Sequence, residues 1–235
     1  MTKTLKHTKP IKNTLQGHHL NSKHWQNHKS TLPSLSQPLF DTAVGMILGD
    51  ATMYHVSREA VIKFEQGYKQ KEFVFHLFDL FSPYCFMQKA APRYAKNGDL
   101  KSYWFKTFSF PCFTQLYHFF YDKKGTKNHK RVKKGVIANY LTPRGLAYWI
   151  MCDGSLQKDY KSLILHTQSF TFGENVMLSL ELNEKFHLHS RVIPHKVEYF
   201  AIEIPKGDSQ RINQLISPFM IPSMMYKVPK FQKIV

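Results

Sequence analysis

Acidic residues are scarce in this 235-residue chain: sixteen Asp and Glu stand against thirty-three Lys and Arg, a formal charge of +17 with His neutral. The first forty residues contain neither an acid nor an Arg, and Asp41 is the first carboxylate. That imbalance favours a polyanionic partner, either nucleic acid or an acidic membrane surface, although basic ribosomal proteins share it. Cysteine is equally sparse. Cys85, Cys112 and Cys152 show no CxxC or Cys/His ligand spacing, and their odd number makes a poor disulfide framework, which points to a reducing compartment. No apolar run approaches the roughly 18 residues that span a bilayer, and "MTKTLKHTKP" has no signal-peptide core. A soluble intracellular protein with no membrane partner is expected. What is present is core-forming material. Hydrophobic residues make up 43% and aromatics 14% of a chain whose length lies between one large domain and two small ones.

The text resolves that ambiguity by repeating itself. Residues 1–37 mix Lys, His, Asn, Ser and Pro without periodicity and read as a basic, partly extended arm rather than an Arg-rich transit peptide. A first unit spans 38–121. "PLFDTAVGMILGDA" reads as a helix with Asp41 near its N-cap, "TMYHV" and "AVIKFEQ" as strands, and "KQKEFVFHLFDLFSPY" as a helix. "CFMQKAAPRYA" and "SYWFKTFSF" follow as strands around the turn "KNGD", and "PCFTQLYHFFY" closes the unit as a helix. A second unit over 140–235 has the same order. Thr142 caps "TPRGLAYWIMCDG" with Pro143 at the first helical position, "LILHTQSF" is a strand and "GENVMLSLELNEKF" a helix. "HSRVIPH" and "EYFAIEIP" form a strand pair and "DSQRINQLISPFM" ends the unit. "KFEQGYKQKEF" aligns with "LHTQSFTFGEN", setting Gln66 against Gln168, and "FTQL" matches "INQL". Between the units, 122–139 is a solvent-exposed linker dense in Lys and Arg, suited to phosphate contact.

Each unit opens on an apolar helix that ends in a carboxylate: Asp50 in "TAVGMILGDA" and Asp153 in "GLAYWIMCDG", 103 residues apart. If the two helices pack together on a pseudo-twofold axis, their apolar length is explained by burial and the acids emerge side by side. Gly45 and Gly49 opposite Ala147 and Cys152 permit the close approach. Carboxylates at helix C-termini face the negative end of the dipole and repel each other, so a cation must compensate, and oxygen ligands with open water positions suit Mg²⁺. A metal beside so basic a surface points to phosphoryl chemistry on nucleic acid, with one carboxylate for each strand of a duplex.

"AVGMILGDA" and "LAYWIMCDG" resemble the two motifs of the LAGLIDADG homing endonucleases, in their single-chain, two-repeat branch. The likeness covers about residues 38–230. "NYLTPRGLAYWIMCDG", "HTQSF" and "IPSMMYKVP" are similar to an omega-intron endonuclease of that family. Asp50 and Asp153 match the family's acids, while Ala51 replaces the final Gly of the first motif and Cys152 takes the seventh position of the second. The resemblance implies an α+β fold of two pseudo-symmetric αββαββα repeats, whose antiparallel sheets form a saddle over the major groove. The acids then reach the minor groove, where each helps cut one strand and leaves 3′ overhangs.

It implies Lys130 and Lys227 as basic partners, Arg131 and Lys133 being alternatives to Lys130. It also implies the backbone oxygens of Gly49 and Cys152 as metal ligands beside Asp50 and Asp153. Mg²⁺ is the expected cofactor, with Mn²⁺ substituting and Ca²⁺ supporting binding without cleavage. The expected partner is a long, near-asymmetric duplex bound by a monomer encoded in an intron of an organelle. On the sheets, Arg58, Lys63, Gln66, Arg93, Lys101, Lys106, Gln168, Arg191 and Lys196 are candidates for reading DNA, and Lys124, Lys127 and Lys133 for holding phosphate. His195 and the His-rich arm match no metal site. An intron-RNA maturase or a non-catalytic DNA-binding protein on the same frame is the alternative.

Overall fold

The computed structural model describes residues 22–56, 58–124, 127–196 and 198–230, with the side chains of 123–128 outside the description. The chain divides into two compact units, Met1–Ser34 and Leu35–Val235. In the first, the described residues form α1 (Lys23–Thr31) where the sequence predicts an extended arm. Ser22 supplies the cap, its hydroxyl accepting from the Trp25 amide at 3.4 Å, and His28 and Lys29 favour the C-terminal end of the dipole. Residues 1–21 of the expected arm lie outside the described residues.

The second unit carries the duplication. Its first repeat runs α2 (Gln37–Leu48), β1 (Thr52–Val56), β2 (Glu59–Gly67), α3 (Lys71–Phe81), β3 (Ala91–Tyr94), β4 (Leu100–Lys106) and α4 (Pro111–Phe120). Then come β5 (Tyr121–Lys124), β6 (Lys127–Lys130) and α5 (Val136–Tyr140). The second repeat is α6 (Pro143–Asp153), β7 (Gly154–Leu156), β8 (Leu163–Leu165), α7 (Phe172–Phe186), β9 (Arg191–Pro194), β10 (Phe200–Ile204) and α8 (Ser209–Ile216). Each repeat builds a four-stranded antiparallel sheet with the same spatial order, β1-β2-β4-β3 and β7-β8-β10-β9. The α+β architecture of two αββαββα repeats is therefore as expected.

Three local expectations change. Asp41 is not a cap: α2 starts after Ser36 with Pro38 in its first turn, and Asp41 is buried one turn in, taking a 2.7 Å hydrogen bond from the Gln37 amide. Opening the second sheet, β7 escapes a sequence reading because three residues cannot display alternation, and β8 stops at Leu165 instead of running through "HTQSF". The linker is not an open connector. It folds as the β5–β6 hairpin and the short α5, with Val132, Val136 and Ile137 buried.

Strand period sorts the side chains into two faces. Ile62, Phe64 and Phe105 turn inward, with Phe64 stacked on Phe105 at 4.7 Å and tilted against Phe81 of α3 at 4.9 Å. On the opposite, open face the register sets Lys63 beside Lys106, Glu65 beside Trp104 and Arg93 beside Ser102. In the second sheet Leu163, Leu165 and Ile202 turn inward. Ser155, Ile164, Arg191 and Glu203 then share the open face.

Candidate active site

Helices α2 and α6 meet backbone to backbone. A Cβ added to Gly45 would lie 2.0 Å from the Gly145 carbonyl oxygen, and one on Gly145 would lie 2.9 Å from that of Asp41. Further along, a Cβ on Gly49 would fall 2.6 Å from that of Cys152. The sequence reading named Gly45 and Gly49 but missed Gly145, whose signal is its place in the second motif. All of 42–48 and 145–152 are buried, so the pair forms the central layer.

That close crossing brings the two acids together. Burial, followed by the charge of Asp50, raises the Asp153 carboxyl from its ordinary 3.8 to about 7, against the pull of Lys130 and Lys227. Asp50 is the more exposed acid and accepts a 2.8 Å hydrogen bond from Nε2 of Gln66. Gln66 is thus turned to the helix side of its strand and buried at the acid, not in the open face where base reading was expected. Its register equivalent also differs from the sequence alignment. Lys63 pairs with Thr52 and Ile164 with Ser155, two residues past each acid, so Gln66 corresponds to the buried Thr167, which hydrogen-bonds Asn175. Gln168 instead donates to Nδ1 of His166 at 3.2 Å, while Nε2 of that ring lies 2.7 Å from the Ser155 hydroxyl.

A lysine sits behind each helix end. Lys130 donates to the carbonyls of Gly49 at 2.5 Å and Ala51 at 3.4 Å. Lys227, 6% exposed, donates to those of Met151 at 2.6 Å, Cys152 at 3.2 Å and Ile150 at 3.4 Å. An ammonium is favoured there because the last-turn carbonyls lack helical partners and carry the negative end of the dipole. Burial brings Lys130 down to about 8, resisted mainly by Asp153, and lowers Lys227 as well. The alternatives to Lys130 point elsewhere: Lys133 bonds the His118 carbonyl at 2.7 Å and Asp122 at 2.9 Å, and Arg131 lies 3.6 Å from Glu174.

For a metal, the donor set is oxygen-only and small. Among the described residues no cluster of three or more His, Cys, Asp or Glu could hold an ion alone. Two carboxylates that cannot comfortably share their charge, with water and phosphate oxygens completing the shell, suit a hard divalent cation. The proposed ligand carbonyls of Gly49 and Cys152 already accept from lysines, leaving one lone pair each.

The open faces carry an unanticipated pattern. Arg93 Nη1 donates to both carboxylate oxygens of Glu65 at 3.0 and 2.9 Å, and Arg191 Nε donates to Glu203 at 2.6 Å. Burial works to raise Glu65, but hydrogen bonds from Lys63, Ser102 and Arg93 outweigh it and hold the carboxyl at about 2. Tyr54, Lys63, Arg93, Trp104 and Lys106 line a shallow depression of about 430 Å³. Arg58 and Lys196 are exposed at the β1–β2 and β9–β10 turns. Lys101 is the exposed extra residue of a β-bulge, between Ser102, which pairs with Arg93, and Leu100, which pairs with Tyr94. The side chains of Lys124 and Lys127 lie outside the described residues.

The sequence profile of the LAGLIDADG DNA endonuclease family matches residues 40–212. This chain belongs to that family. A probable intron-encoded DNA endonuclease 3 of Mycosarcoma maydis is 43% identical over 134 residues, covering 57% of this chain and 98% of that protein. A probable intron-encoded endonuclease 1 of Wickerhamomyces canadensis is 32% identical over 217 residues, 88% of this chain and 91% of that one. Among solved structures, the homing endonuclease I-WcaI bound to its DNA recognition sequence superposes with a TM-score of 0.81 at 31% identity, covering 93% of this chain and 97% of that chain. As a LAGLIDADG endonuclease, the chain falls in a divalent-metal-dependent family, and no helix among its described residues is long and apolar enough to cross a membrane.

Proposed function

We propose that this LAGLIDADG protein is a homing endonuclease: a sequence-specific nuclease that hydrolyses one phosphodiester on each strand across the minor groove, leaves 3′ overhangs and promotes intron mobility. The observation that carries it is the meeting of Asp50 and Asp153 at the crossing of α2 and α6, each helix end backed by a buried lysine. Mg²⁺ is the proposed cofactor, held by the two carboxylates, with Mn²⁺ able to replace it and Ca²⁺ supporting binding alone. Bound there, such an ion lowers the pKa of water and neutralises phosphate charge.

The chain's own residues supply the geometry. Asp50 and Asp153 mark one reacting position per strand. The Gln66 amide holds one oxygen of the Asp50 carboxylate in place. Lys130 and Lys227 bring positive charge to the two positions without adding flexible surface groups, and a preorganised cation of that kind stabilises charge gathering on a phosphate. The apolar helix crossing excludes bulk water from below. Lys63, Arg93, Lys106 and Arg191 hold the duplex from the sheets, while Arg58 and Lys196 reach it from the turns. Both repeats lie in one chain, so one copy completes the site. Intron-encoded relatives support an intracellular setting, with an organelle as the proposed compartment.

A cytochrome b mRNA maturase bI2 of Saccharomyces cerevisiae, 28% identical over 223 residues, favours RNA splicing as a second reading. The deciding experiment is cleavage of a randomised duplex library in Mg²⁺ with sequencing of the new ends. One long consensus cut with 3′ overhangs is expected. Degradation without a consensus, or intact DNA beside assisted splicing of an intron RNA, overturns the endonuclease reading.

A further inference from the structure

Helix α7 belongs to the second repeat, yet three of its four charged side chains bond the segment that follows Lys130. Glu181 is 9% exposed and accepts three backbone hydrogen bonds, from Gly135 at 2.6 Å, Ile137 at 3.0 Å and Ala138 at 3.1 Å. Those amides are the unpaired donors at the start of α5, so the carboxylate both satisfies them and meets the positive end of the dipole. One turn further on, Lys185 donates to the carbonyls of Ile137 at 3.0 Å and Ala138 at 2.6 Å. Two turns before Glu181, Glu174 accepts from the Val132 amide at 3.0 Å and lies 3.6 Å from Arg131. At spacings of seven and four, residues 174, 181 and 185 share one stripe of the helix. Lys130 is two residues from Val132, and its amine reaches the carbonyl of Gly49 in the first repeat.

We propose that Glu174, Glu181 and Lys185 are positioning residues for Lys130, through which a helix of the second repeat sets the cation behind the acid of the first. On the first-repeat side the same stretch is held by the pairing of Lys130 with Tyr121, by Arg131 N on the Phe120 carbonyl at 2.7 Å and by Lys133 on the His118 carbonyl and Asp122, whereas beyond Lys133 it has only α5, five residues long, and the α7 contacts. A buried carboxylate with three charge-assisted bonds is a far stiffer anchor than a five-residue helix supplies by itself. The inference rests on the role assigned to Lys130 above.

The test is strand-resolved nicking of the cognate duplex, labelled differently on each strand, by the full chain in Mg²⁺. Lys130→Met sets the benchmark by showing which strand depends on that amine. Glu181→Ala is expected to slow that same strand, by up to about a hundredfold for a displacement near 1 Å, and to leave the other within a few fold, so nicked duplex accumulates. Glu181→Gln keeps one acceptor oxygen, enough for Ile137 and Ala138, but turns its NH2 towards the Gly135 amide, and is expected to recover part of the lost rate. Glu174→Ala, which removes one backbone bond, gives a smaller effect of the same strand pattern and keeps the test intact if Glu181→Ala does not fold. Equal slowing of both strands, or no slowing, by Glu174→Ala and Glu181→Ala beside an impaired Lys130→Met overturns the brace alone. Full activity of Lys130→Met overturns the brace and the lysine's role together, while a wild type that cuts neither strand overturns the endonuclease reading beneath both.

Discussion

Replacing Asp153 by Asn should stabilise the metal-free protein. The carboxyl is raised from 3.8 to about 7 by burial and by Asp50, so its ionised form is the costly one in the fold. A folded-state pKa above the unfolded value means that the native chain binds more protons than the unfolded chain between those limits. Stability is therefore lost progressively as pH rises from about 4 to about 7, and the loss is complete above that. The displacement corresponds to roughly 4 kcal/mol at full ionisation, and the smaller part of it has accrued by pH 5. Asn cannot ionise, so Asp153→Asn gains most of that difference at pH 7.5. For a chain of this length about 1 kcal/mol moves the melting temperature by roughly 2–4 °C. Thermal melts in EDTA should thus show the variant higher by several degrees at pH 7.5, with the gap narrowing steadily towards pH 5. Saturating Mg²⁺ should raise wild type more than the variant, because it neutralises the same repulsion. A variant that melts at or below wild type at pH 7.5, or a gap indifferent to pH, refutes the proposed burial and repulsion.

Further consequences follow from the packing and the faces. Gly45→Ala and Gly145→Ala should each cost about 1–3 kcal/mol, read by chemical denaturation, because their new methyl groups meet backbone and cannot be accommodated by a rotamer change. Lys63→Ala should relax preference at a few base pairs in a randomised-target binding selection, and unchanged preferences would take Lys63 off the reading face. Affinity for the cognate duplex should fall on a log–log salt plot by several tenfold steps between about 50 and 200 mM if roughly six to ten phosphates are neutralised; a flat plot would remove duplex DNA as the reason for the +17 charge. Sedimentation of the free protein and its DNA complex should give one chain in each, and an obligate dimer contradicts a site completed within one copy.

Much of this was legible in the residues because two motifs did most of the specifying. An apolar helix ending in Gly-Asp or Cys-Asp, repeated after 103 residues, carries the crossing, the pairing of acids and the duplicated order of elements. Lys227 was legible from "IPSMMYKVP". Short strands were not: three residues of β7 cannot express a period of two, and the second sheet took its form from pairing with β8 and β10. Gln66 was misassigned although the signal existed, since alternation with Ile62 and Phe64 already turns it inward. Glu65, Glu203, Glu174 and Glu181 were passed over because a carboxylate in a strongly basic chain reads as solvated surface until its partners, 28, 12, 42 and 46 residues away, come into contact. Contacts of that range are set by tertiary packing and leave no local trace.

The central claim is that the crossing of α2 and α6 delivers one acid to each strand, and strand-resolved cleavage by Asp50→Asn and Asp153→Asn tests it most directly. In Mg²⁺ neither variant should make double-strand breaks, while both should bind the cognate duplex in Ca²⁺ about as tightly as wild type. Wild-type double-strand cutting by either variant would contradict the account.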